Sequence, residues 1–134
     1  MKWILLLIAV LSIAFTARGF AALGNSEDQI ADLLGKPAEE GFPDQRGVST
    51  NMYQKGNYIV LVQFLNHLSL AESYTRTDKA ELRESEIAAL LEGSANDLKW
   101  IKDPSRDAWQ REDHKARAWY ETLSGRPTLL LQAQ

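Results

Sequence analysis

The longest run of β-branched and aromatic residues outside the N-terminal segment lies at residues 58–65, with the sequence Tyr-Ile-Val-Leu-Val-Gln-Phe-Leu. Turn-forming dipeptides flank it, Gly-Asn before and Asn-His after. Such a run is typical of a buried, central strand. Because successive side chains of a strand alternate between its faces, Val60 and Leu61 point in opposite directions. Both faces are largely apolar, so we expect other elements to cover at least part of each.

Two segments carry the i, i+3, i+4 apolar spacing of a short amphipathic helix. The first begins at Ser26, which is a candidate N-cap with Gln29 three residues later, as in a capping box. Gly35 and Pro37 end this segment. The second lies at residues 83–92 and repeats the apolar positions of the first at an offset of 57 residues.

Strand-like segments follow each helical segment. Turn residues and alternation predict strands at residues 50–54, 58–65, 68–76, 98–101, 108–111, 115–123 and 128–132. The predicted fold class is therefore α+β, with two tandem helix-plus-antiparallel-meander repeats at about residues 24–76 and 82–134. Both helices are expected to pack on one face of the sheet or sheets.

The N-terminal segment has the layout of a secretory signal peptide. A lysine precedes an uncharged, mostly apolar run, and small residues follow it. We predict a signal peptide at residues 1–19, with cleavage after Ala21 or retention as an anchor as alternatives. Residues 20–134 would then form a single domain, exported to the periplasm or the medium, without stable membrane insertion after cleavage.

Composition narrows the choice of partners. The chain has a formal charge of −3, and removal of residues 1–19 leaves 13 basic and 18 acidic residues. Because the basic residues are scattered and form no run, the sequence argues against a nucleic-acid partner. The absence of cysteine excludes disulfides and thiolate metal sites.

Catalytic and metal-binding motifs are weak in this sequence. His67 and His114 are both expected at hairpin turns, where exposure is the ordinary explanation. Glu112, Asp113 and His114 are adjacent, and a small secreted enzyme with its site there is the alternative hypothesis. We predict no enzymatic activity, no metal site and no cofactor.

The aromatic residues of the C-terminal half suggest a binding face. Alternation places Lys115, Arg117, Trp119 and Glu121 together, opposite small alanines that suit packing beneath a helix. Trp109 and Arg111 share a face of the preceding strand and complete the candidate set, although Trp109 and Trp119 each have a core position as the alternative. Tryptophan and arginine are enriched at binding hot spots.

One segment resembles a known family. The helix ending Leu-Leu-Gly-Lys-Pro at residues 33–37, followed by the aromatic strand at 58–64, resembles the SmpA/BamE-like domain of bacterial envelope proteins, here without the lipobox cysteine. The doubled plan is similar to that of the β-lactamase inhibitor protein family. The resemblance implies an exported, non-catalytic module that binds another envelope or secreted protein. Inhibition of a secreted enzyme is a further alternative.

Overall fold

The computed structural model describes residues 22–134, so the predicted signal peptide at residues 1–19 lies outside the described residues. Two helices are present there, α1 (Glu27–Leu34) and α2 (Glu84–Glu92). The strands are β1 (Glu39–Glu40), β2 (Val48–Lys55), β3 (Tyr58–Leu65), β4 (Leu68–Arg76), β5 (Trp100–Lys102), β6 (Ala108–Arg111), β7 (Ala116–Glu121) and β8 (Thr128–Ala133). Neither helix has the length and apolar character needed to cross a bilayer.

The predicted fold class is wrong. Strands account for 42% of the described residues and helices for 15%, so the protein is mostly β. All eight strands form one open antiparallel sheet with the order β1-β2-β3-β4-β8-β7-β6-β5. The predicted pair of helix-plus-meander repeats is replaced by this single sheet because β4 pairs with β8 over five residue pairs. This long-range pairing leaves no local signal in either strand.

Two tight hairpins fix the register of the N-terminal strands. β2 and β3 are joined by Gly56 and the following asparagine, and β3 and β4 are joined by Asn66 and His67. Gly56, Asn66 and His67 all have positive φ, at 57°, 53° and 64°. Two-residue turns of this kind match the twist of antiparallel strands. The predicted boundaries at residues 58–65 and 68–76 are confirmed.

The two helices begin differently. At α1 the predicted capping box is confirmed: the Ser26 hydroxyl accepts a 3.2 Å hydrogen bond from the backbone of Gln29, whose side chain accepts one of 2.9 Å in return. At α2 the N-cap position is Arg83, which supplies no side-chain acceptor. The backbone of Arg83 donates instead to Glu86, at 3.3 Å.

One face of the sheet forms the core. Tyr53, Val60, Tyr74 and Leu129 are successive cross-strand partners from β2 to β8, and each is at most 1% exposed. Both helices contribute their apolar residues to the same cluster, which includes Ile30, Leu34, Leu90 and Leu91. The helices therefore lie on one side of the sheet.

Polar contacts tie α2 to the sheet and to its flanking segments. The indole nitrogen of Trp100 donates to the Leu91 carbonyl at 2.7 Å, and the backbone nitrogen of Leu82 donates to the Tyr120 hydroxyl at 2.9 Å. Arg76 at the end of β4 forms an ion pair of 3.0 Å with Glu86 on α2. These contacts join α2 and the residues before it to β4, in the middle of the sheet, and to β7 and β5.

Candidate functional site

The side of the sheet opposite the helices, named here the open face, carries an apolar row. Consecutive cross-strand partners from β2 to β7 form it: the apolar residues Met52, Leu61, Leu130 and Trp119, with the small polar residue Ser73 between Leu61 and Leu130. Strands in a sheet lie about 4.8 Å apart, so the row spans about 19 Å. It gives the open face an apolar centre that crosses the junction between β4 and β8.

Exposure varies across the open face, where Met52, Ser73, Leu130 and Trp119 are half-buried. Leu61 is 41% exposed and Ile101 is 59% exposed, whereas Val60 and Val62 on the core face are buried. Neither helix packs on the open face, because their apolar residues belong to the core cluster. Helices cover only the Val60 side of β3, so the expectation that other elements cover both faces is wrong for the Leu61 side.

Arg117 and Trp119 form a stacked pair on this face. The guanidinium carbon of Arg117 lies 5.2 Å from the centroid of the Trp119 ring. A terminal nitrogen of Arg117 donates a 3.1 Å hydrogen bond to the side-chain oxygen of Gln132, its cross-strand partner on β8. The register of β7 and β8 thus holds an exposed cation beside an aromatic ring. Such contacts contribute about 0.5–1 kcal/mol at exposed sites.

Two other residues of the predicted set lie near this pair. Lys115 precedes β7 and is exposed. Glu121 ends β7 opposite Thr128, and its carboxylate accepts a 3.2 Å hydrogen bond from the backbone of Ser124. Alternation along β7 therefore brings Arg117, Trp119 and Glu121 to the open face.

The remaining two residues of the predicted set lie on the opposite side. Trp109 pairs across strands with the buried Ala118 and packs against the core, which agrees with the alternative assignment for this tryptophan. Arg111 forms a 2.9 Å ion pair with Asp113 and donates to the Ser94 carbonyl at 3.0 Å. Its side chain is only 11% exposed, and these two contacts join the turn after β6 to the segment after α2. The structure does not bring Trp109 and Arg111 to the open face.

A cleft of about 940 Å³ opens at the β5–β7 end of the sheet. Ile101, Gln110, Arg117 and Trp119 are among its lining residues, together with the loop at 103–107 that joins β5 to β6. The cleft therefore adjoins the open face beyond the row, although residues of the other face, including Trp109, Arg111 and Ala118, also line it.

The residues of the alternative enzyme site point to separate partners. Glu112 accepts a 2.9 Å hydrogen bond from the backbone of Lys99, while Asp113 is held by Arg111. His114 occupies a turn with a φ of 61° and lines the cleft without either neighbour. Among residues 22–134, no group of three or more histidine or carboxylate side chains is arranged to hold a metal ion.

Sequence reasoning missed the N-terminal half of this surface. Met52 and Leu61 join Leu130 and Trp119 only because β4 pairs with β8. The alternation in residues 58–65 was the available signal, since it placed Leu61 opposite the two core valines.

Comparisons with known proteins give no family. No family model matches the chain, and no curated protein matches it. A solved structure titled as a cysteine-rich secretory protein from Staphylococcus aureus matches with a TM-score of 0.46 and 12% identity. The match covers 84% of this chain and 44% of that structure. The SmpA/BamE-like resemblance and export of this chain stay predictions from the sequence.

Proposed function

We propose that this chain is an exported, non-catalytic protein-interaction module of the bacterial cell envelope that binds its partner through the open face. The partner would be another envelope or secreted protein. Export rests on the predicted signal peptide at residues 1–19, and the envelope on the SmpA/BamE-like resemblance of the first helix and strand.

The observation that carries the proposal is the apolar row across the open face. Isolated apolar side chains are normal on protein surfaces, but four apolar residues aligned across five strands and flanked by polar residues are typical of an interaction site. Its polar borders include Thr50, Gln63 and Gln132 on one side and Gln54, Thr75 and Thr128 on the other. A protein partner would bury the row and satisfy these borders with hydrogen bonds.

Site-specific photo-crosslinking tests this function. A photoreactive benzoylphenylalanine replaces Leu61 or Ile101 on the open face, and in a control variant it replaces Asp32, which is exposed on α1. After irradiation of cells of the source organism, adducts are identified by mass spectrometry. We expect both open-face positions to trap the same exported protein and the Asp32 position to trap none of it.

A second variant links the adduct to the surface. The double substitution W119A/R117A should reduce the adduct at Leu61 at least fivefold, because it removes the stacked pair at the end of the row. Its melting temperature should stay within a few degrees of the parent value, since both residues lie outside the core cluster. Equal trapping from Asp32, or an unchanged adduct in the double variant, would contradict binding through the open face.

A further inference from the structure

The charges of the cleft differ in sign from the charge of the chain. Four basic and two acidic residues line it, whereas the whole chain carries a formal charge of −3. Of the four basic residues, Lys102 and Arg111 share the helix-bearing face with Trp109 and Trp100, whereas Arg117 lies on the open face. A locally basic cleft on an acidic protein concentrates and orients negatively charged groups. Charge complementarity therefore favours a ligand with at least one anionic group.

Most of the cations in the cleft are already neutralised. Their carboxylate partners lie at 3.1 Å for Arg106 with Asp103, 3.8 Å for Lys102 with Asp107 and 2.9 Å for Arg111 with Asp113. Hydrogen bonds from Ser105, together with that of Arg106, lower the pKa of Asp103 to about 2, so this carboxylate stays charged. These pairs shape the rim of the cleft and leave little charge for a ligand.

Arg117 is different from the other three cations. Within residues 22–134, no carboxylate forms an ion pair with it. A guanidinium has five N–H donors, and Gln132 receives one of them. The stacking on Trp119 holds the planar group in place, and a planar guanidinium with free donors matches the two oxygens of a carboxylate.

The apolar row defines what must accompany the carboxylate. Arg117 and Gln132 form the pair of the open face next to Trp119 and Leu130, two residues away along β7 and β8. An extended peptide advances about 3.3 Å per residue, so about six residues match the 19 Å length of the row. The row is mainly aliphatic, which suits apolar side chains better than the stacked sugar rings of a glycan.

From this arrangement we infer that the open face recognises an extended protein segment in which an Asp or Glu side chain binds Arg117 while neighbouring apolar side chains bind the row from Trp119 to Leu61. The inference rests on the proposed function and adds the chemical class of the partner. Arg117 is the specificity-determining residue, and Trp119 provides both its platform and an apolar contact.

Peptide selection tests the inference directly. The full-length protein is immobilised, random displayed peptides of about 12 residues are selected on it, and the enriched sequences are synthesised with a fluorescent label. Affinities are measured by fluorescence anisotropy for each acidic peptide and its Glu→Gln or Asp→Asn counterpart. We expect peptides with an acidic residue beside apolar ones, and a loss of about tenfold or more when the carboxylate becomes an amide.

A double-mutant cycle assigns the carboxylate to its partner. R117Q should lower the affinity for the acidic peptide about tenfold and leave the affinity for the amide peptide nearly unchanged. R126Q, which removes an exposed cation from the β7–β8 turn, is the matched control and should change neither affinity. W119A should weaken both peptides, because it removes apolar contact as well as the platform for Arg117.

The outcomes separate this inference from the proposed function. Peptides that need Trp119 and Leu61 but not Arg117 or a carboxylate would leave open-face binding intact and overturn the inference. Peptides insensitive to W119A and L61A would count against both. A selection that yields no peptide, together with measured binding of a galacturonate oligosaccharide, would also overturn the inference. The occupant of the open face would then be an acidic glycan.

Discussion

Glu72 places a carboxyl group among the buried side chains of the core face. The residue is 2% exposed, and its oxygens accept hydrogen bonds of 2.5 Å from the Tyr74 hydroxyl and 3.3 Å from the Ser69 hydroxyl. Burial raises the pKa of Glu72 from 4.5 to about 7, since a charged form is costly away from water, while the two hydrogen bonds partly oppose this shift. The carboxyl group is therefore neutral in the folded protein under mildly acidic conditions.

This pKa predicts how the stability of the protein depends on pH. Between pH 4.5 and pH 7 the unfolded chain releases a proton that the folded protein retains, so the free energy of unfolding falls as pH rises. The full shift is worth about 3 kcal/mol, present below pH 4.5 and lost by about pH 7. In guanidinium unfolding, the free energy of unfolding should fall between pH 5 and pH 8 by at least about 2 kcal/mol more in the parent than in E72Q.

A surface variant controls for the general effect of removing a carboxylate. D32N changes an exposed residue of α1 and should follow the parent at both pH values. Equal losses for E72Q and the parent would show that Glu72 does not hold a proton in the folded state.

At the scale of elements, the two helices differ at the N-cap residue, which precedes the first residue of each helix. Both are short, and helices of this length depend on packing and caps more than on intrinsic propensity. Ser26 caps α1 with its hydroxyl, whereas Arg83 occupies the same position of α2 in an extended conformation that a capping serine adopts readily. The start of α2 therefore lacks a side-chain acceptor to which a backbone N–H of its first turn could donate.

Reciprocal substitutions measure this contact. S26A should lower the free energy of unfolding by about 1 kcal/mol because it removes the acceptor for the Gln29 amide. R83S should raise it by about 0.5–1 kcal/mol by adding an acceptor at the start of α2. R83A removes the same arginine without adding a hydroxyl, so chemical denaturation in which R83A and R83S are equally stable would exclude capping as the cause.

Local signals explain which elements the sequence could predict. The strands at residues 58–65 and 68–76 were predicted with their observed boundaries because turn residues mark both ends. β1 was missed, since two residues in a loop rich in glycine and proline carry no alternation. The fold class was wrong because the partner of β4 is β8, a choice made by residues more than 50 positions away.

The candidate surface was predictable to the same extent. Alternation within β7 separated Arg117 and Trp119 from the buried Ala116 and Ala118. It could not place Trp109, because the side of a second strand depends on its register with the first. That register pairs Trp109 with Ala118 and so assigns it to the core.

At the scale of the whole molecule, both helices and strands β2 to β8 contribute to one core. The cluster runs from Ile30 and Tyr53 near one end of the sheet to Ala118 and Leu131 near the other. The β4–β8 pairing is antiparallel and continuous over five residue pairs, so no boundary of weak contacts divides the sheet. The domain is therefore expected to unfold as a unit.

Two spectroscopic probes check this cooperativity. In a W3F variant every tryptophan lies at residues 100–119, so fluorescence reports on the C-terminal half, while far-ultraviolet circular dichroism reports on all strands. The two unfolding curves in guanidinium should coincide, and L129A should shift both by the same amount. A fluorescence transition that precedes the dichroism transition would show that the halves unfold separately.

The brevity of the outermost strands has a consequence for how molecules of this protein can meet. β1 has two residues and β5 has three, with lysine at positions 99 and 102. A growing fibril needs long, flat sheet edges with unpaired amide groups, whereas the two outermost strands are short and carry glutamates in β1 and lysine in β5. The short outer strands thereby disfavour edge-to-edge polymerisation even though a broad sheet face stays accessible to solvent. Another molecule would bind to this face and not to the edge strands.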